Sequence, residues 1–234
     1  MASERFEGLS NLTTAIVSDA LVRLGQPIRA LPASIRPLAP EMRCWGPART
    51  VRHFGSVDIF FEAFEASAPG DVLVIDNEDR TDEGCIGDLT VIEAATAGLA
   101  GIVVWGRHRD SAELRRIGWP VFSTGTCAIG PAGGRLRSSV AFGPLGIGPT
   151  AVANGDVILA DEDAVLVLDP RTVDEVVAAA EAIAKTERRQ AELVSSGRSL
   201  RSQLGFGDYL TARETEPTLT FREHLRRIGG AIEE

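Results

Sequence analysis

The residues of this chain best suited to chemistry lie in two short, glycine-containing segments near its centre. The first segment carries Asp88 directly after Gly87, and the second carries Arg109 directly before Asp110. A guanidinium binds a carboxylate or a keto oxygen through paired hydrogen bonds. An aspartate is a hard oxygen ligand of the kind that Mg²⁺ or Mn²⁺ prefers. Arg109 is therefore a candidate for binding a substrate oxyanion, and Asp110 is a candidate metal ligand.

A cation at this place would keep several waters, because one carboxylate cannot surround a metal ion by itself. Asp88 would then orient those waters from outside the coordination sphere. A plainer interpretation stays open, since Arg-Asp adjacency is common and Asp110 could simply cap the following helix. We interpret His108 as a solvated or structural histidine and Cys85 as a small turn residue.

The elements that must position these residues follow an alternating α/β pattern. Apolar residues at helical spacing predict a helix over 89–99, and a β-branched run predicts a strand over 101–105. A further helix is predicted over 110–117 and a further strand over 119–123. In an open α/β layer, sites form where strands end and helices begin. The backbone N–H groups after Gly87, at a helix start, could therefore bind a carboxylate.

The rest of the chain extends this pattern into one large domain and a tail. We predict helices over 13–24 and 172–196 and a strand over 44–53. The α/β domain is expected to occupy residues 1–197. Residues 198–234 are too apolar for a free linker, so we expect a C-terminal helical extension that packs on its own or a neighbouring subunit.

Composition excludes several classes of function. The chain has 234 residues, 44% hydrophobic residues and a net charge of −9, so nucleic acid is not the expected partner. No apolar run approaches the roughly 20 residues that span a bilayer, and the N-terminus lacks the features of a secretory signal. Three well-separated cysteines favour a reducing, cytoplasmic location. Neither GxGxxG nor GxxxxGK[ST] occurs, which disfavours nucleotide binding and with it a methyltransferase function.

Three spaced motifs carry a resemblance to a known family. They are Gly87-Asp88-Leu89, Gly106-x-x-Arg109-Asp110 and Gly118-Trp119-Pro120-Val121-Phe122-x-x-Gly125. Supporting matches lie at 18–21, 69–76 and 155–163. In their order and spacing these motifs resemble the RraA-like superfamily over about residues 12–197. The resemblance is to its catalytic branch, the 4-hydroxy-4-methyl-2-oxoglutarate/4-carboxy-4-hydroxy-2-oxoadipate aldolases, which also decarboxylate oxaloacetate.

This resemblance implies a fold, an assembly and an activity. The implied fold is a swivelling-type β/β/α sandwich, assembled as homotrimers that often pair into hexamers with sites between subunits. The implied activity is that of a divalent-metal-dependent (class II) carbon–carbon lyase, using Mg²⁺ or Mn²⁺. It would cleave a small 2-keto acid to pyruvate through a metal-stabilised enolate. The alternative is a non-catalytic regulator of the same superfamily that binds a ribonuclease; such regulators lack the complete Asp/Arg-Asp set.

The resemblance also implies roles for individual residues. The residues that would bind the pyruvate portion through their backbone are Gly87, Asp88, Leu89 and Thr90. Arg109 would contact the substrate and stabilise developing charge, Asp110 would hold the cation, and Asp88 would hold a water. A glutamate from the C-terminal helix of a neighbouring subunit would complete the catalytic set, and Glu187, ten residues before Gly197, occupies the similar position.

Overall fold

The computed structural model describes residues 5–133 and 135–229. The chain divides into two compact units. The first unit runs up to Ala15 and then from Ile28 to Asp174, and the second contains Ile16–Pro27 and the chain from Glu175 onward. All of the strands of the described residues belong to the first unit.

The strands form one large sheet and two small ones. In chain order they are β1 (Arg36–Pro37), β2 (Cys44–Arg52), β3 (Val72–Asp76), β4 (Gly84–Ile86), β5 (Gly101–Trp105), β6 (Arg107–His108), β7 (Val121–Ser123), β8 (Leu145–Ile147), β9 (Thr150–Val152), β10 (Val157–Ala160) and β11 (Val165–Leu168). The large sheet has the order β1-β7-β5-β3-β2-β10-β11, while β4 pairs with β6 and β8 pairs with β9. Strands β7, β5, β3 and β2 are parallel, and the outer strands join them antiparallel.

The helices connect these strands and form the C-terminal part of the chain. They are α1 (Thr14–Arg23), α2 (Asp58–Glu65), α3 (Asp88–Thr96), α4 (Ser111–Ile117), α5 (Val173–Ser195), α6 (Leu200–Gln203), α7 (Phe206–Thr215) and α8 (Phe221–Ile228), preceded by a 3-10 turn at Glu7–Asn11. Across the described residues, no helix is both long and apolar enough to cross a membrane.

The centre of the large sheet is buried on both of its faces. On β3, Leu73 and Ile75 belong to one apolar cluster, which also contains residues of α2. Val72 and Val74, which alternate with them, belong to a second cluster. Successive side chains of a strand point to opposite faces of the sheet. A strand that is covered on both sides is therefore apolar throughout, as the sequence of β3 is.

The structure confirms the predicted α/β class and the presence of C-terminal helices. The strand predicted over 101–105 is β5, and the long helix predicted over 172–196 is α5, which ends one residue earlier and begins one residue later. The interpretation of Cys85 as a turn residue is wrong, since it lies within β4. A strand of three residues that begins at a glycine carries too little periodicity to be recognised.

The C-terminal helices contain a compact aromatic group within the second unit. The rings of Tyr209 and Phe221 lie 5.0 Å apart, and His224 stacks on Phe221 at 5.9 Å. The side chain of Gln203 donates a hydrogen bond to the carbonyl of Gln190 on α5. These contacts lie within one chain; the predicted domain boundary at residue 197 stays a prediction.

A buried aspartate fixes the start of α1 in the first unit. Asp161 follows β10 and is only 6% exposed. Its carboxylate accepts hydrogen bonds from the backbone N–H of Thr14 at 2.7 Å, from the Thr14 hydroxyl at 2.6 Å and from the N–H of Asp163 at 3.0 Å. Hydrogen bonds to a charged, buried acceptor contribute more to stability than neutral ones.

We expect Asp161→Ala to lower the free energy of unfolding by about 2 to 3 kcal/mol, because buried donors lose a charged acceptor. Urea denaturation measures this change. Asp163→Ala removes a nearby exposed carboxylate and is the matched control, with an expected change of about 0.5 kcal/mol or less. Equal destabilisation by the two substitutions would contradict the assigned role of Asp161.

Candidate active site

The turn between β4 and α3 brings together the two predicted segments. Gly87 is the residue between these elements. A Cβ at this position would lie 2.3 Å from Asp110 Oδ2 and 3.1 Å from Arg109 Nε. Only glycine permits so close an approach without displacing those side chains. The side chains of Arg109 and Asp110 are therefore directed at the Gly87 turn.

Further backbone contacts confine the Arg109 side chain. The N–H of Arg109 donates to the carbonyl of Ile86 at 2.9 Å, which holds the start of the second segment against β4. A Cβ at Gly84 would lie 3.0 Å from Arg109 Cβ, and a Cβ at Gly130 would lie 2.6 Å from Arg109 Nη1. The stem and the guanidinium therefore both pack against glycine backbone, although the side chain remains 47% exposed.

The backbone of Asp110 is unusual. Its φ of 58° is in the left-handed region, which costs energy for any residue except glycine. It occupies the position before α4, yet its side chain makes no capping hydrogen bond. The alternative that Asp110 caps this helix is therefore wrong for its side chain. Instead, Oδ2 accepts from Arg109 Nε at 3.2 Å.

A cavity of about 320 Å³ lies beside this ion pair. Its lining residues are His53, Gly55, Ser56, Val57, Gly84, Cys85, Ile86, Gly87, Thr90, Arg109 and Pro131. His53 and Pro131 line the cavity from parts of the chain distant from the Gly87 turn. Gly55–Val57 were missed, because a loop without periodicity or a recognisable motif carries no sequence signal.

Three other predicted site residues, Asp88, Leu89 and Glu187, are not among the residues that line the cavity. The N–H of Leu89 donates to Asp88 Oδ1 at 2.7 Å, and the Leu89 side chain is 75% exposed. Within the described residues, no acceptor is bonded to the N–H groups of Asp88 and Thr90. Glu187 is half-buried on α5, in the second unit. The structure thus brings Gly87, Thr90, Arg109 and Asp110 together.

A buried polar network holds the His53 side of the cavity. Arg135 makes two hydrogen bonds to the Glu83 carboxylate, at 2.6 and 2.8 Å, and these lower the pKa of Glu83. Arg135 also donates to Asn77 Oδ1 at 3.2 Å, and the same oxygen lies 2.8 Å from His53 Nδ1. Burial lowers the pKa of His53. The imidazole is therefore neutral near pH 7.

His108, adjacent to Arg109, is a buried histidine whose hydrogen bonds connect neighbouring elements. It is 4% exposed, and both ring nitrogens are occupied by hydroxyl groups. Nδ1 lies 2.7 Å from Ser123 Oγ, and Nε2 lies 2.9 Å from Ser111 Oγ. Burial lowers the pKa of this histidine as well. Its contacts tie β6 to β7 and to the first residue of α4, which fixes the segment that carries Arg109.

The donor set suits a hydrated divalent cation and does not suit a closed metal cage. Among residues 5–133 and 135–229, no group of three or more His, Cys, Asp or Glu residues could hold a metal ion. The Asp110 carboxylate is 34% exposed, and only its Oδ2 is bonded to Arg109. One accessible carboxylate fits Mg²⁺ or Mn²⁺ that retains several waters.

The family of the chain follows from a family model described as RraA-like: Aldolase/RraA, which matches residues 14–167. The chain belongs to this RraA-like family, and its predicted RraA-like fold is thereby confirmed. It is 32% identical over 183 residues to a Halalkalibacterium halodurans protein named "Putative 4-hydroxy-4-methyl-2-oxoglutarate aldolase". That alignment covers 77% of this chain and 81% of the relative.

Two further similarities are to differently named proteins, one matched by sequence and one by structure. The chain is 33% identical over 199 residues to protein DlpA of Legionella pneumophila; the match covers 82% of this chain but 32% of DlpA, so the chain spans about a third of that relative. The solved structure of Streptomyces coelicolor RraAS2, described as an unusual member of the RNase ES inhibitor RraA protein family, has a TM-score of 0.70 and 29% identity. It covers 79% of this chain and 94% of RraAS2.

The cysteines provide a test of the cavity's environment. Burial raises the pKa of Cys44 to about 12, and burial also raises the pKa of Cys85, which lines the cavity. Cys127 is half-buried. Because the thiolate is the reactive form, we expect a disulfide reagent at about pH 8 to modify Cys127 quickly in the native protein and the other two only after denaturation.

Mass spectrometry of the modified peptides identifies which thiol has reacted. The Cys127→Ser variant is the control, and its native form is expected to be nearly unreactive. Rapid modification of Cys85 in the folded protein would contradict the enclosed environment that the structure gives this thiol.

Proposed function

We propose that this protein is a divalent-metal-dependent carbon–carbon lyase of class II, which cleaves a small 2-keto acid to pyruvate by aldol cleavage or decarboxylation. The observation that carries the proposal is the convergence of Arg109 and Asp110 on the Gly87 turn beside a cavity. Aldolase names among the relatives of this RraA-like chain support the same conclusion.

Arg109 is proposed to bind the substrate and to stabilise the charge that develops during cleavage. Its Nε is bonded to Asp110, so its two terminal nitrogens are the groups that remain for a ligand. They can donate to the substrate carboxylate and to its keto oxygen. When the carbon–carbon bond breaks, negative charge moves onto the keto oxygen, and a fixed guanidinium stabilises this enolate more than the ground state.

Asp110 is proposed to hold the divalent cation, with Asp88 orienting its waters. The bound cation would act as a Lewis acid toward the carboxylate and keto oxygens of the substrate. The N–H groups of Asp88 and Thr90, at the start of α3, are oriented for a carboxylate in the way that first-turn amides are. We further propose a homotrimer or hexamer in which Glu187 of a neighbouring copy moves a proton at the substrate.

The size and charge of the cavity suit a small organic acid. About 320 Å³ is at the lower end of the volumes of ligand-binding cavities. The chain is acidic overall, with a net charge of −9, yet the cavity is lined by the Arg109 guanidinium and by no carboxylate among its lining residues. A small dianion would therefore be attracted locally despite the overall charge.

We expect Asp110→Asn to lower oxaloacetate decarboxylation by about 100-fold or more, because a carboxylate ligand of the cation is lost. Decarboxylation and aldol cleavage are measured over a panel of keto acids with Mg²⁺, with Mn²⁺ and with a chelator. The chelator should abolish wild-type activity. Asp174→Asn, which alters an exposed carboxylate paired with Arg5, is the control and should retain wild-type rates.

The same panel separates the lyase from the alternative function. Full activity of Asp110→Asn would remove the metal role of this residue. A wild-type protein that turns over no keto acid but binds a purified ribonuclease stably would instead be a regulator, as the family description of RraAS2 suggests for that relative.

We expect Arg109→Lys to lower kcat/KM for the same substrate by about 100-fold, since an ammonium cannot replace the planar, bidentate guanidinium. Steady-state kinetics with saturating Mg²⁺ measures the loss. Arg116→Lys is the matched control, because Arg116 is an exposed arginine of α4 paired with Glu113. A similar loss in both variants would show that the effect does not come from substrate binding at Arg109.

A further inference from the structure

His53 is a cavity residue that the proposed mechanism leaves without a role. It is 5% exposed overall, yet it lines the same cavity as Arg109. The ring is stacked on Phe60, with centroids 5.0 Å apart and planes 12° apart. Its backbone N–H donates to the carbonyl of Asp76 at 2.9 Å. Both the position and the plane of the imidazole are therefore fixed.

The hydrogen-bond partners of His53 determine which ring nitrogen carries the proton. Arg135 Nη2 lies 3.2 Å from an amide atom of Asn77, and a guanidinium can only donate, so that amide atom is Oδ1. The same oxygen lies 2.8 Å from His53 Nδ1, which must therefore donate. Arg135 Nη2 also lies 3.4 Å from Nδ1. The 2.8 Å contact with Asn77 Oδ1 is shorter and therefore determines the tautomer. The proton is on Nδ1, and Nε2 carries a lone pair.

Nε2 is the polar atom of His53 that remains for a ligand. Nδ1 is bonded to Asn77 and one ring face is covered by Phe60. No hydrogen bond from any other residue of the described chain reaches Nε2. His53 lines the cavity, and a ring nitrogen that has a lone pair and no protein partner is an acceptor for a ligand hydroxyl group.

We propose that His53 is a further catalytic residue, whose Nε2 accepts the proton of a substrate hydroxyl group during aldol cleavage. This inference rests on the proposed lyase function and concerns its aldol cleavage, in which the substrate carries a hydroxyl group on C4. The Asn77–Arg135–Glu83 network holds the imidazole in the tautomer that can act as a base.

The step is balanced without any further reactant. The hydroxyl proton passes to Nε2, and the hydroxyl oxygen becomes the carbonyl oxygen of the departing fragment. The bond between C3 and C4 breaks, and its electron pair remains on the 2-keto acid fragment as an enolate. The imidazolium then returns its proton to C3, which gives pyruvate. Glu83 Oε1 lies 3.7 Å from Nδ1 and opposes the positive charge of Arg135, whose Nη2 lies 3.4 Å from the same nitrogen.

Two activities of one protein test this role. His53→Asn keeps an N–H donor for Asn77 but removes the basic Nε2. We expect cleavage of 4-hydroxy-4-methyl-2-oxoglutarate to fall about 100-fold or more. The loss of oxaloacetate decarboxylation should be at least about tenfold smaller than the loss of aldol cleavage, since oxaloacetate has no hydroxyl proton to remove. Both rates are measured with Mg²⁺ on the full-length protein.

Equal losses in both activities, or unchanged aldol cleavage, would overturn the role of His53. If circular dichroism shows that His53→Asn is unfolded, His53→Gln, which also lacks a basic nitrogen, tests the role of His53 in the same assays. His224→Asn, at a buried histidine of the second unit, is the control and should change both rates by less than about threefold. A wild-type protein that processes neither acid overturns the proposed lyase function, and this inference with it.

Discussion

The Arg109 side chain packs against the backbone of three glycines, and the candidate site depends on the absence of side chains at these positions. Side chains at Gly84, Gly87 or Gly130 would approach Arg109 atoms to 3.0, 3.1 and 2.6 Å, respectively. An arginine normally has much rotameric freedom, which is costly to lose on binding. Here the folded chain already restricts that freedom. The guanidinium is thus positioned before any ligand arrives, which is the condition for electrostatic stabilisation of a developing charge.

Two ion pairs beside the cavity differ in solvent exposure, and they therefore serve different purposes. The Arg109–Asp110 pair is partly exposed, and such pairs contribute little to stability. Its two charged groups are accordingly accessible to a ligand. The Glu83–Arg135 pair is more buried, with Glu83 only 5% exposed at its side chain. Breaking it would leave a buried, unpaired charge, so the network around His53 is rigid.

The sequence predicts the local parts of this structure better than the distant ones. Periodicity was sufficient for β5, and adjacency along the chain was sufficient to place Gly87 and Arg109 at the ends of neighbouring elements. The polar network could not be predicted in this way. His53 and Arg135 are 82 residues apart and their contact depends on the tertiary fold. Nor does the residue type of Asp110 predict its left-handed backbone, because tertiary contacts impose that conformation.

Residues that are close in sequence and residues that are distant in sequence form different parts of the cavity. The segment Gly84–Ile86 with Gly87, Thr90 and Arg109 supplies the groups suited to a carboxylate and a keto oxygen, which every 2-keto acid carries. His53, Gly55–Val57 and Pro131 come from distant parts of the chain and supply the remaining wall. Substrates of one reaction class differ in the part beyond the keto acid group. Under the proposed function, substitutions at Gly55–Val57 or Pro131 would therefore change substrate choice while the groups proposed to stabilise the enolate stay in place.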